Sequence, residues 1–238
     1  MFDVVVNDGG ALIHSLPTGT GVEGKSFGEY ARIVFKPRIL HDLTRAKRVD
    51  VVWDDYRQLT IKGTVRDKRG AGMRQRVSSE AKVPKNWSLY IADSCNKIEF
   101  FRYLSTSIEQ QVIAGNKNLY VTAGQVVQKL GNGRDMPECN HEESDARVIV
   151  HLAHALEDSS TAIIFTGDTD VIVILLENFH HFLLINPHAE IWVCFKAGKT
   201  MKMISMNRLA RNLGTITCKG LALFHSLTGC DSTSFFSS

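Results

Sequence analysis

Two aspartates one residue apart, Asp168 and Asp170, follow an apolar run from Thr161 to Phe165 and precede a second run from Val171 to Leu176. The first run reads as a buried strand that stops where the carboxylates begin. In open α/β sheets, ligands bind in the crevice beyond the carboxyl ends of the strands. Two carboxylates in otherwise apolar surroundings are unfavourable unless a cation neutralises them. A hard divalent ion, which takes oxygen ligands, is the natural partner; a solvated turn after a strand is the plainer reading of the same residues. The pattern recurs twice. A strand over Met1–Asn7 ends at Asp8-Gly9-Gly10, and a strand over Arg48–Trp53 ends at Asp54-Asp55. A fourth acidic group, Glu142-Glu143-Ser144-Asp145, opens a helix whose apolar residues Val148, Ile149, Leu152, Ala155 and Leu156 have helical spacing. Acids in a first helical turn favour the helix dipole, which is compatible with Glu143 and Asp145 also aiming into a common site.

The elements that must position these groups alternate between strand and helix, which predicts a three-layer α/β/α fold around a mostly parallel sheet. In that architecture Asp8, Asp54 and Asp168 fall at one end of the sheet. The helix starts belong to the same end and bring Glu143, Asp145 and Asp170 with them. Six or seven carboxylates in one crevice would repel one another and some would take up protons, whereas two divalent ions, Mg²⁺ or Mn²⁺, would turn them into a coordination shell suited to in-line phosphoryl chemistry. Further helices are expected over Phe27–Ala46, divided by Pro37, over Trp87 to about Ala114, over Asn207–Leu213 and over Thr217–Leu227. Strands are expected over Asn118–Thr122, Phe182–Ile185 and Glu190–Phe195, and Gln125–Leu130 reads as a strand or a helical turn. The 238 residues suffice for one α/β domain spanning residues 1–238. A chain that starts on a core strand and stops on Phe235-Phe236-Ser237-Ser238 is expected to be truncated at its C-terminus.

Between Lys62 and Lys85 the composition turns basic. Lys62, Arg66, Lys68, Arg69, Arg74, Arg76, Lys82 and Lys85 face only Asp67 and Glu80. With a net charge of +3 overall, the rest of the chain is therefore negative. Gly63, Gly70 and Gly72 make this stretch a mobile loop or a frayed helical arch. It is either a solvated surface or an arm that contacts phosphates, since Lys/Arg contacts to the backbone dominate nucleic-acid affinity. The five cysteines, Cys95, Cys139, Cys194, Cys218 and Cys230, are an odd number with no CxxC pair, which argues for reduced thiols in an intracellular compartment and against a disulfide-linked partner or a zinc ribbon. No apolar run approaches the roughly 20 residues of a membrane span.

These motifs carry a resemblance. Asp8-Gly9 after a first strand, Val52-Trp53-Asp54, Glu143-Ser144-Asp145, Asp168-Thr169-Asp170 and Gly229-Cys230-Asp231 occur in the order of the acidic motifs of the flap-endonuclease and PIN-like nuclease superfamily. The runs His141 to Arg147, Asp168 to Val171 and Phe224 to Ser234 more closely resemble uncharacterised animal proteins linked to repetitive, mobile elements. The resemblance implies a PIN-like domain and a structure-selective nuclease that acts on DNA in preference to RNA, in the nucleus. It implies that Asp8, Asp54, Glu143 and Asp145 hold a first metal, and that Asp145, Asp168, Asp170 and Asp231 hold a second. Basic residues of the arm, Lys62, Arg66, Lys68, Arg69, Arg74 and Arg76, would steer the nucleic acid. One departure is that the chain ends where the family places its duplex-binding element.

Three rivals stay open. A haloacid-dehalogenase-type phosphatase also sets Asp-x-Asp after a strand, the first acid being the nucleophile, but its pair is not expected so late in the chain. A sugar transferase is a weaker reading of the same pair. A PIN-like scaffold that keeps its acids and serves only as a nucleic-acid or protein-binding module is the serious alternative. His151 and His154 on one helix read as core histidines before they read as a metal pair, because no third nitrogen or sulfur ligand is suitably spaced. Cys139-Asn140-His141 is a weak zinc hint of the same kind. Cys230 reads as a small buried filler, His225 and Ser226 lack a nucleophile-elbow context, and Trp53, Trp87 and Trp192 read as core.

Overall fold

The computed structural model describes residues 2–55, 73–108, 113, 115–197 and 200–228. The bases Lys62, Arg66, Lys68 and Arg69 and the acid Asp231 lie outside the described residues. In chain order the main elements are strand β1 (Val4–Asp8), helix α1 (Gly9–Ser15), helix α2 (Phe27–Tyr30), helix α3 (Lys36–Arg45) and strand β2 (Arg48–Val52). Helices α4 (Trp87–Ala92) and α5 (Ser94–Ile108), strands β3 (Asn118–Ala123) and β4 (Val126–Leu130) and helix α6 (Ser144–Leu156) follow. The last part comprises strand β5 (Thr161–Thr166), helices α7 (Thr169–Glu177) and α8 (Phe179–Ile185), strands β6 (Glu190–Ala197) and β7 (Thr200–Ser205), and helices α9 (Met206–Leu213) and α10 (Thr215–Thr228).

The seven strands among the described residues form one sheet in the order β4-β3-β2-β1-β5-β6-β7. It is parallel from β3 to β6 and has an antiparallel strand at each edge. The central strands are largely apolar on both sides, as strands covered on two faces are, with Arg48 and Asp50 of β2 the buried charged exceptions within them. Val5, Val49, Val51, Leu119 and Ile163 face a core shared with α1 to α5. Val4, Val6, Val52, Ala162 and Ile164 face the other core, shared with α6 to α9. The result is the expected three-layer α/β/α arrangement. From β1 the chain first builds outward through β2 and β3, then returns to lay β5 against the other side of β1. Strand order thus reverses between β1 and β5, which is the crevice where this class of sheet binds ligands.

Local chemistry explains most boundaries. Ser26 and Glu29 form a reciprocal capping box at the start of α2. Between α2 and α3 the backbone widens into a π-turn over Ala31–Phe35. Pro37, just beyond, has no N–H to donate to the carbonyl four residues back. The helical stretch after Trp87 is broken at Asp93, whose carboxylate accepts the N–H of Asn96 at 2.9 Å and so caps the second segment. The segment Gln125–Leu130 resolves as β4, joined to β3 through Gly124 at φ +65°, a conformation that glycine adopts without strain. Two local expectations change. Phe182–Ile185 belongs to helix α8, because Phe179 and Phe182 bury one face at helical spacing, and β7 adds an edge strand.

The basic stretch divides. Its second half, 73–85, runs beside α2: Phe27 N–H donates to Ala81 O at 2.9 Å, Gly28 N–H to Ser79 O at 3.1 Å and Val83 N–H to Lys25 O at 2.8 Å. That half is docked chain and not a frayed arch. Among the described residues, no helix is long and apolar enough to cross a membrane.

Candidate functional site

Asp8 is the last residue of β1 and the N-cap of α1, and its carboxylate accepts the N–H of Gly10 at 3.0 Å. Only a glycine can follow it, because a Cβ at position 9 would run into the Trp53 ring. Trp53 in turn stacks on Phe101 with ring centroids 4.5 Å apart. Asp8 itself is 6% exposed. It lies at the switch point, facing the α6 side of the sheet.

Two hydroxyls hold this carboxylate and extend it into a chain of hydrogen bonds across the mouth of the sheet. Ser144, the first residue of α6, donates its Oγ–H to Asp8 Oδ1 at 3.3 Å and its backbone N–H to Asp54 Oδ1 at 2.8 Å. Thr166, the last residue of β5, donates its Oγ–H to Asp8 Oδ2 at 2.8 Å and accepts the N–H of Asp168 at 3.0 Å. Asp168 Oδ1 then accepts the N–H of Asp170 at 2.9 Å, capping α7. Asp170 Oδ1 meets His225 Nε2, on α10, at 2.9 Å. Asp54, Asp8, Asp168 and Asp170 are therefore linked through Ser144 and Thr166 on one side of the molecule. Glu143 is the N-cap residue of α6 and Asp145 lies in its first turn, so both stand beside Ser144. Burial grades outward: Asp8 is buried, Asp54, Glu143, Asp145 and Asp170 are half-buried, and Asp168 is exposed.

The electrostatics follow from that geometry. Burial pushes the Asp8 carboxyl up to about 6, the hydrogen bond from Thr166 works against the rise, and the neighbouring Asp54 charge adds to it. The groups that hydrogen-bond Asp8 are neutral. Its donor set, with those of Asp54, Glu143, Asp145, Asp168 and Asp170, is all oxygen, the chemistry preferred by Mg²⁺ or Mn²⁺. As arranged, however, no group of three or more His, Cys, Asp or Glu among the described residues is placed to hold a metal ion.

No family model, no curated protein and no solved structure matches the chain.

Two buried networks fix the mouth; the sequence pointed His151 and His154 to the core but to neither network. Arg147 is fully buried on the apolar face of α6. It donates to four backbone carbonyls: His141 at 2.7 Å, Gly124 at 2.6 Å, Cys139 at 3.0 Å and Trp53 at 3.2 Å. One guanidinium thus ties the start of α6 to the ends of β2 and β3. The available signal was the helical spacing that sets Arg147 on the buried face with Val148, His151, Leu152 and Ala155, since a cation is buried only when fully paired. Lower on the same helix, His151 Nδ1 meets Asp50 Oδ2 at 2.7 Å, and Arg48 forks onto both Asp50 oxygens at 2.7 Å. Arg48 also donates to His154 Nδ1 at 2.7 Å, while His154 Nε2 donates to Asp135 O at 3.1 Å. This arrangement fixes the neutral tautomer of His154, whose pKa is lowered by burial and by the Arg48 charge. Burial works to raise the Asp50 pKa, but Arg48 and His151 outweigh it and hold it below its usual value. The two histidines are thus core residues pairing α6 to β2, as the spacing argued, and not a metal pair.

Of the basic residues proposed to meet nucleic acid, Arg74 is committed elsewhere. It binds the Glu99 carboxylate and donates to Asn96 Oδ1 at 2.8 Å. Arg76 is exposed.

Proposed function

We propose that the mouth of the sheet binds divalent cations, Mg²⁺ or Mn²⁺, and hydrolyses phosphodiester bonds of nucleic acid, DNA in preference to RNA, as a structure-selective nuclease of flap-endonuclease type. One observation carries this reading: the hydrogen-bonded chain Asp54–Ser144–Asp8–Thr166–Asp168–Asp170 lies across the switch point of a parallel sheet. When bound, two such ions would generate a nucleophilic water and stabilise the leaving oxygen. The chain's own part is positional. Asp8, clamped between two hydroxyls at the floor, is the fixed ligand. Asp54 and Asp168 use one oxygen each on a backbone N–H, which sets their planes, and Glu143 and Asp145 enter from the start of α6. Asp231 would complete the second set. Lys62, Arg66, Lys68, Arg69 and Arg76 would neutralise the phosphates on either side of the scissile bond, and a nuclear setting follows from a DNA substrate.

The open spacing of the acids favours one alternative, a PIN-like module of mobile-element origin that binds nucleic acid or protein without cutting it. The separating experiment incubates the chain with 5′-flap, single-stranded and duplex DNA, and with matching RNA, in Mg²⁺ or Mn²⁺, alongside Asp168→Ala and Asp170→Ala. Cleavage by the wild type that both substitutions abolish supports the nuclease. Nucleic acid bound and never cut, with no heat of Mn²⁺ binding by titration calorimetry, selects the module. Normal cleavage by Asp168→Ala refutes the site.

A further inference from the structure

The far end of α7 carries a second feature. Seven residues separate Asp170 from Glu177, about 10 Å along a helix, so this region is distinct from the acidic mouth. Here α7, α8, α9 and α10 enclose a cleft of about 310 Å³, at the lower end of the range for small-molecule pockets. Its floor is apolar: Leu176, Phe179, Ala210 and Cys218 are buried and Leu183 is partly so. Its rim is basic. Arg211 at the end of α9 and Lys219 on α10 both line it and are both exposed, with His180 beside them and Glu177 as the opposing acid. Among the described residues neither Arg211 nor Lys219 makes an ion pair, which leaves both charges available at the rim.

We infer that this cleft is a binding site for a small apolar molecule that ends in an anionic head, a carboxylate or a phosphate. The apolar portion occupies the space over Phe179, Leu183 and Ala210, and the head lies between Arg211 and Lys219. An apolar enclosure with a few convergent polar groups at one side is the usual construction of such sites. Two uncommitted cations outweigh the single acid, so the rim selects a negative head over a neutral one.

The test uses the full chain and needs no nuclease activity. Saturation-transfer NMR and titration calorimetry would be run with octanoate, octyl phosphate and octan-1-ol as probes. Both anions should bind more tightly than the alcohol, and the tighter of the two identifies the head group. The double variant Arg211→Gln/Lys219→Gln should weaken anion binding about tenfold, the sum of two partly exposed ion pairs, while leaving octan-1-ol unchanged. Leu183→Trp, which fills the cleft from its partly buried floor, should abolish binding of all three; thermal melting establishes that each variant is folded. Octan-1-ol binding as tightly as octanoate overturns the charged rim. Octanoate binding that survives Leu183→Trp, or no binding of any probe to the wild type, overturns the site.

Discussion

Asp8 gives the sharpest prediction, because its burial has a thermodynamic consequence that needs no substrate. Its carboxyl rises from 3.8 to about 6 on folding, chiefly through desolvation. The folded state therefore holds the proton more tightly than the unfolded chain does. The sign follows: stability is full below 3.8, declines as pH rises from 3.8 to about 6, and stays at the lower level above that. A rise of that size is worth about 3 kcal/mol, at about 1.4 kcal/mol per pH unit. Asp8→Asn removes the charge but keeps the shape. It also forces either Ser144 or Thr166 to turn its hydroxyl, a loss of about 1 kcal/mol. In chelator at pH 8 the variant should thus be more stable than the wild type by about 2 kcal/mol, or about 6 °C in Tm for a chain of this size. Near pH 3.5 it should be slightly less stable, so the two stability curves cross between the two pH values. Urea unfolding at several pH values measures this directly. On the proposed function, adding Mn²⁺ at pH 8 should reverse the order, since only the wild type would keep the ligand at the floor. A difference between the proteins that has the same sign and size at pH 3.5 and pH 8 would refute the burial of an ionised carboxylate at this position.

The remaining predictions concern the supports of the mouth. Gly9→Ala should displace the Trp53 ring and destabilise the fold by about 2 kcal/mol through overpacking, with a change in tryptophan fluorescence as the local readout. Arg147→Met strands four carbonyls and should lose about 3–5 kcal/mol; limited proteolysis should then cut within residues 131–143, which it ties down. Asp50→Asn leaves Arg48 with an unneutralised charge in the core and should also cost about 3–5 kcal/mol, whereas replacing the whole network by apolar residues should cost much less. Stability equal to wild type in Asp50→Asn would remove the network from the account of how α6 is placed.

The placement of the acids was legible because strand endings are legible. Val4 to Val6 and Ala162 to Phe165 are apolar on successive positions, and Val49, Val51 and Val52 are interrupted only by the buried Asp50, a pattern that a strand covered on both faces requires. Each is followed within a few residues by Asp8, Asp54 or Asp168, and parallel pairing brings those endings to one edge. The fold class followed from the same alternation. What the sequence concealed around Asp8 itself was neutral. Ser144 and Thr166 hold Asp8, yet a serine at a helix start and a threonine at a strand end are ordinary choices for capping and β-propensity, so nothing marked them. The short run Phe182–Ile185 read as strand because four apolar residues fit either period; Phe179, one helical turn earlier, decides for helix. The edge strand β7 is largely exposed and so lacks the apolar alternation that reveals a half-buried strand.

The two sides of Asp8 are held by different means, and this bears on how the site would close. On the β2 side the start of α6 is fixed by Arg147 and, deeper, by the Arg48–Asp50–His151 network, so Ser144, and with it the hydrogen bond to Asp54, has little freedom. On the β5 side Asp168 is exposed, and Asp170 is tied to His225 near the end of α10. A cation that entered would therefore find Asp8 already fixed, beside the anchored start of α6, and would draw in the Asp168–Asp170 side. Because His225 links Asp170 to α10, closure on that side must carry to α10 as well. Hydrogen exchange should consequently slow on adding Mn²⁺ around Thr169–Val171 and His225–Leu227, and remain unchanged at Arg147–Leu152, which the buried networks already protect.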